Sequence, residues 1–185
     1  MKYKLTYRLT FLDYWHISSG LSGGARLDSS VIKDDDGIAY VSGKTIKGLM
    51  REMAETLFDN NPFVKKTFGV EGVDMGEVYF TNATLDATTK EQIITNKLQN
   101  NLYDVIASTQ IDSKKGIAVD NSLREIEVTI PIKLSGEIRD IESQEDFEKL
   151  KKSLQMIKRM GLYRNRGLGR CKFSEIKMKE EICKS

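Results

Sequence analysis

The sequence predicts an α+β domain. Residues 2–12 alternate apolar and polar side chains. Two segments, 44–58 and 143–157, repeat apolar residues at helical spacing. Each helical segment is followed by a stretch of strand character, so the elements run β-α-β-β-α-β with material inserted between them.

Tyr3, Leu5, Tyr7, Leu9 and Phe11 share one face of the first strand, which makes it half-buried. Residues 13–42 form an irregular insertion rich in Gly, Ser and Asp, with short apolar pieces at Val31–Ile32 and Ile38–Val41. The helix at 44–58 carries Ile46, Leu49, Met50, Met53 and Leu57, and Asn60, Asn61 and Pro62 end it. Residues 76–86 predict a strand. Residues 88–125 are a polar mixture, a second insertion with a short helix at 89–98. Residues 125–138 predict one strand in which Pro131 forces an edge position or a bulge. The last helix has the apolar stripe Phe147, Leu150, Leu154 and Ile157. Ser143 is its expected N-cap, with Glu145 and Asp146 near the start and Lys158 and Arg159 near the end, as the helix dipole favours. A glycine-rich loop and a strand at 170–179 complete the chain. This order is the ferredoxin-like, or RRM-like, arrangement, expected here as one domain over residues 1–185.

Composition bounds the function. A length of 185 residues suits one domain with insertions, and 39% hydrophobic content supports a core. A net charge of +2 is too small for a generally basic nucleic-acid binder, so any such surface must be local. There is no run of eighteen apolar residues and no signal-peptide apolar region, which predicts a cytoplasmic protein without a membrane span. Cys171 and Cys183 fit no metal or disulfide framework and are expected to be free thiols.

The local charge is found between Lys158 and Lys172, where KRMGLYRNRGLGRCK holds six basic residues, three glycines and no acid. Glycines let a backbone approach a phosphate chain, and consecutive amides in such turns make an anion-binding concavity. Arg164, Arg166 and Arg170 add forked donors suited to phosphate, Asn165 lies among them, and Tyr163 offers a face for base stacking. A connector with solvated charges is the bland reading, and the concentration of charge favours RNA contact over it.

Other motifs carry less. Gly43-Lys44-Thr45 would need a glycine at position 38 to be a nucleotide-hydrolase phosphate loop, and that residue is Ile38. The same residues open a helix, whose first amides with Lys44, Thr45 and Lys47 could hold a phosphate, with Arg51 one turn on. His16 is the only histidine, so no histidine cluster can be assembled, and it is either a packed strand-end residue or an RNA contact. Asp34, Asp35 and Asp36 precede Gly37 and a strand, the pattern of an exposed turn more than a metal site. Asp28 stands apart in a small-residue loop, and composition alone gives it little weight.

Three segments resemble the RAMP superfamily of CRISPR proteins, most closely the repeated backbone subunit of type III effector complexes. They are HISSGLSGGARLDSSVIKDDDGIAYVSGKTIKGLMRE (16–52), IDSKKGIAVDNSLREIEVTIP (111–131) and GLYRNRGLGR (161–170), in the family's order along the chain. The resemblance implies a subunit that polymerises with copies of itself along a CRISPR RNA, beside other effector subunits, and displays the guide to a complementary target RNA. It implies that Asp28, at the family's Ile-Asp step, supports cutting of the target with a divalent metal such as magnesium, held in no fixed protein site. It places His16 beside the guide and Lys44, Thr45, Lys47 and Arg51 at guide phosphates. Ile111 to Ala118 would be a thumb, with Lys114 and Lys115 near nucleic acid, and the loop with Tyr163, Arg164, Asn165, Arg166 and Arg170 would also face RNA. A non-catalytic RNA-binding subunit and a guide-processing endonuclease with His16 as base are the alternatives.

Overall fold

The structure is a computed structural model that describes residues 2–20, 29–59, 62–70, 74–109, 111, 114, 116–119 and 122–181. It is a mixed α+β structure with antiparallel sheets. The strands are β1 (Lys2–Phe11), β2 (Tyr79–Phe80), β3 (Tyr103–Ser108), β4 (Arg124–Thr129), β5 (Lys133–Ile141) and β6 (Cys171–Glu181). The helices are α1 (Gly43–Leu57), α2 (Pro62–Phe68), α3 (Ala87–Thr95) and α4 (Gln144–Met156). Four strands pair in the order β2-β5-β1-β6, and β3 pairs with β4 in a separate ladder.

The alternation expected of β1 is what places it at the centre. Leu5, Tyr7, Leu9 and Phe11 are buried, as are Leu134, Ile138 and Ile141 of β5 and Phe173 of β6. Over this face lie α1, through Ile46, Met50 and Ala54, and α4, through Phe147, Leu150 and Leu154. Both helices start as their caps dictate: the Ser42 hydroxyl accepts from the Thr45 amide at 3.2 Å and the Ser143 hydroxyl from the Asp146 amide at 3.0 Å. The opposite face of the sheet, with Thr6, Arg8, Ser135, Glu137 and Lys177, is polar and carries no described helix.

Four expectations need correction. The strand at 125–138 is two strands in two sheets. Pro131 has no amide to continue a ladder, and the chain turns there from β4 into β5. The strand at 76–86 shrinks to Tyr79–Phe80, flanked by single bridges from Ala83 to Val41 and Thr84 to Ser135. Residues 62–68, where the sequence predicts only the end of a helix, form α2 with Pro62 at its first position, where proline's missing amide costs nothing. The helix expected at 89–98 is α3. The stretch after it is not wholly irregular, because β3 returns on β4 from Tyr103↔Thr129 to Ser108↔Arg124.

Trp15 and Ser29 dock their backbones on the outer edge of β4. Trp15 and Thr129 exchange backbone hydrogen bonds of 3.0 and 2.8 Å, and the Glu127 amide donates to the Ser29 carbonyl at 3.2 Å. Trp15 is fully buried, stacks on Phe11 at 4.2 Å and donates from its indole to the Ile130 carbonyl. Cys171 is a buried free thiol, and burial pushes it up to about 12, which keeps it protonated and unreactive. Cys183 lies outside the described residues.

Candidate nucleic-acid interface

The loop between α4 and β6 is stitched shut at its base. The Met160 amide donates to the Gly169 carbonyl at 2.9 Å, the Cys171 amide to Lys158, and Arg159 bridges Arg170. At the tip the Arg166 amide donates to the Tyr163 carbonyl at 2.7 Å, closing a turn in which Tyr163 has φ +55°. Tyr163 is not a glycine, so this turn holds a backbone conformation that costs free energy and persists only because its surroundings fix it. The amides of Arg164, Asn165 and Gly167 find no acceptor among the described residues. The side chains of Arg164, Asn165 and Arg166 are exposed, and no described acid pairs with either arginine. Arg166 stands 5.2 Å from the Tyr163 ring centre, so cation and aromatic face form one platform. The Arg164 carbonyl accepts from the Arg159 guanidinium at 3.0 Å.

Arg170 is different. Asp13 accepts from its amide at 2.8 Å and pairs with its guanidinium at 3.4 Å. Residues 158–172 contain no acid of their own, but Asp13, two residues past β1, supplies one. Arg170 closes the loop's base, while Arg164 and Arg166 are the cations left open at its tip.

His16 is brought against this loop, and its backbone makes the contact: the Leu162 amide donates to the His16 carbonyl at 2.9 Å. Its side chain is fully buried. Nδ1 lies 2.6 Å from the Glu127 carbonyl and Nε2 3.0 Å from the Ser29 hydroxyl. A carbonyl can only accept, so Nδ1 carries a proton and donates to Glu127, while Nε2 is engaged by the Ser29 hydroxyl. No ring nitrogen is left to take a proton from a substrate. The histidine joins three segments: the loop 161–169, β4, and Ser29 directly after Asp28.

Ser29, Glu127 and Lys33 are functional candidates that the sequence did not single out. The Glu127 carboxylate accepts from the Val31 amide at 3.0 Å and the Lys33 ammonium at 2.7 Å. Lys33 in turn stands 3.7 Å over the Tyr103 ring. The available signal was weak, since Glu127 alternates with Ile126 and Val128 in EIEVTI as a solvent-facing strand residue would. Asp28 and Lys115 lie outside the described residues. Lys114 is exposed, inside a turn bracketed by a bridge between Ile111 and Ala118.

The start of α1 is a separate cluster. Asn82 accepts from the Gly43 amide at 2.9 Å and Ser42 caps Thr45, so two amides that could face a phosphate have protein partners. The Thr45 hydroxyl is 2.9 Å from that of Ser42, Lys47 donates to the Met75 carbonyl at 2.8 Å, and Arg51 pairs with Glu55 at 2.8 Å. Lys44 alone of this group is exposed without a partner among the described residues.

Asp34, Asp35 and Asp36 form a turn. The Asp34 carboxylate accepts from the amides of Asp36 and Ile38, and Lys90 of α3 pairs with Asp34 and Asp36 at 2.7 and 2.8 Å. Burial would raise the Asp34 carboxyl, but the hydrogen bonds from Lys90 and the two amides outweigh it and hold it below its ordinary value of 3.8. A carboxylate whose pKa is lower folded than unfolded contributes stability that is present above the unfolded value and lost as pH falls through the folded one. The acid-side decline of the urea midpoint, below about pH 5, is therefore expected to be shallower in Asp34→Asn than in wild type. No group of three His, Cys, Asp or Glu among the described residues is placed to hold a metal ion. No described helix is long and apolar enough to cross a membrane.

A model of the RAMP superfamily matches residues 8–172. Among solved structures, the chain is similar to one from the cryo-EM structure of the Type III-B Cmr-beta bound to cognate target RNA. The TM-score is 0.73 at 11% identity, over 92% of this chain and 96% of that one. A chain of the Type III-B Cmr-beta in its apo state gives 0.71 at 11% identity with the same coverage. At that identity the likeness is one of fold. No curated protein matches the sequence.

Proposed function

Since the chain belongs to the RAMP superfamily, we propose that it is an RNA-holding subunit of a type III CRISPR effector complex. The observation that carries this reading is the tip of the loop 161–169: open amides at Arg164, Asn165 and Gly167 beside the unpaired cations Arg164 and Arg166. Such a tip grips phosphates without reading bases, as suits a protein whose specificity lies in a guide. The strand order β2-β5-β1-β6 supports the ferredoxin-like reading of the core, and the β3–β4 ladder brackets residues 111–118, the segment we read as the thumb.

Asp28 is proposed to support cutting of a target paired to the guide, by positioning or deprotonating the 2′-OH that attacks the adjacent phosphate, forming a 2′,3′-cyclic phosphate as the P–O5′ bond breaks and the 5′ oxygen of the next nucleotide leaves with a proton. His16 serves as its positioning residue. Ser29 is held by His16 through its hydroxyl and by Glu127 through its carbonyl, which fixes the backbone next to Asp28. The described residues offer no cage for the divalent ion that the family resemblance implies, so no step here passes through a metal. His16 has no open nitrogen for the role of base in guide processing.

The complex assembled on a guide, given complementary RNA, tests this reading with wild type and Asp28→Ala. Regularly spaced cuts that disappear in the variant, with target still bound, are the expected result. Binding without cuts in either protein would leave a scaffold that only displays the guide. Absence of RNA from the assembled subunit would overturn the RNA-holding role itself.

A further inference from the structure

We propose that the open face of the four-stranded sheet is a second RNA site, a track that holds a single strand by phosphate and ribose and not by its bases. The proposal rests on the RNA-holding role above but on different residues. The face contains a groove of about 440 Å³ along β1, β5 and β6. Its acids are already matched: Glu137 by Lys4 and Arg139 at 3.2 and 2.8 Å, and Glu175 by Arg8 at 2.6 Å. Lys177 and Lys179, exposed on the rim, have no partner among the described residues. Lys133 and Lys172, which flank Thr10 in register at the glycine-loop end of the same face, have none either. Unpaired positive charge therefore runs along the sheet away from the loop 161–169. Residues two apart in a strand are separated by about 6.8 Å, an interval that suits successive phosphates of an extended strand.

The chemistry of the groove selects the occupant. Its floor and wall carry the hydroxyls of Thr6 and Ser135 from the sheet and Thr84 from the segment after β2, while the Thr81 hydroxyl beside them is taken up by the backbone of Glu137. The one aromatic residue lining it, Tyr7, is buried and packs its ring edge-on against Phe173 at 5.3 Å. A protein partner would want an apolar or aromatic centre, and the exposed ring on this face, Tyr79, stands on the edge strand β2 opposite Arg139 and not at the centre. A base-stacking platform of the RRM kind would want exposed rings on the central strands, and β1 and β5 present none. Phosphate and 2′-OH are the groups that unpaired lysines and a row of hydroxyls match.

The test uses the full chain and labelled U, A and C homopolymers of RNA, with affinity measured across salt concentrations. Lys177→Ala/Lys179→Ala is expected to reduce the slope of log K against log salt by about 1.4, 0.7 for each contact, equally for the three polymers. Lys177→Arg/Lys179→Arg should restore it. An unchanged slope, or a loss confined to one polymer, overturns the track. The Arg164→Ala/Arg166→Ala protein separates the two readings. Loss there with no loss in the lysine variant removes the sheet site and keeps the loop, while no loss in either removes both.

Discussion

Replacing His16 with alanine is expected to lower the unfolding free energy by about 3 kcal/mol. The ring is fully buried and both nitrogens are bonded, so the variant leaves a cavity together with an orphaned Glu127 carbonyl and Ser29 hydroxyl. Urea denaturation with an unchanged m-value would show it. A histidine that merely touched RNA from the surface would change stability by less than about 0.5 kcal/mol, and that result would remove His16 from its positioning role. Because Ser29 follows Asp28, the same variant should also reduce target cutting in the assembled complex more than it reduces RNA binding.

Gly169→Ala has the second large effect. Gly169 has φ +70°, and a Cβ built there would lie 1.9 Å from the Met160 carbonyl oxygen. The left-handed conformation alone costs a non-glycine residue about 1–2 kcal/mol, and the backbone clash must move the base of the loop, for a total of about 3 kcal/mol or more. Gly167 separates the two contributions. Its φ is +97°, yet an added Cβ would meet nothing within 4 Å, so Gly167→Ala should cost only about 1 kcal/mol. Equal losses at both positions would mean that the loop tolerates displacement at its base. If the loop holds RNA, Gly169→Ala should also weaken RNA binding more than Gly167→Ala does.

Much of this was legible in the sequence because it rested on local rules. The alternation of β1, the stripe of α4 and the cap Ser143 are short-range patterns, and they appear where those patterns put them. Pro131 stands out in the sequence as a disturbance, but whether it bulges a strand or separates two depends on what β4 and β5 pair with, which is not local. For the same reason β3 has no clear signal. Its side chains are half-exposed, and only its partner β4 identifies it. At the candidate site, the exposed arginines were visible as composition. The acid that closes Arg170, Asp13, lies 157 positions away. His16 illustrates the limit most clearly. Spacing left packing and RNA contact equally open, and long-range bonds to Glu127 and Ser29 determine that its side chain packs.

The most direct measurement is the salt dependence of single-stranded RNA binding by wild type and Arg164→Ala/Arg166→Ala. If these arginines hold two phosphates, the slope of log K against log salt falls by about 1.4 in the variant, and affinity drops alike for unrelated sequences. An unchanged slope, or a loss that depends on sequence, would contradict the claim that this loop grips the RNA backbone.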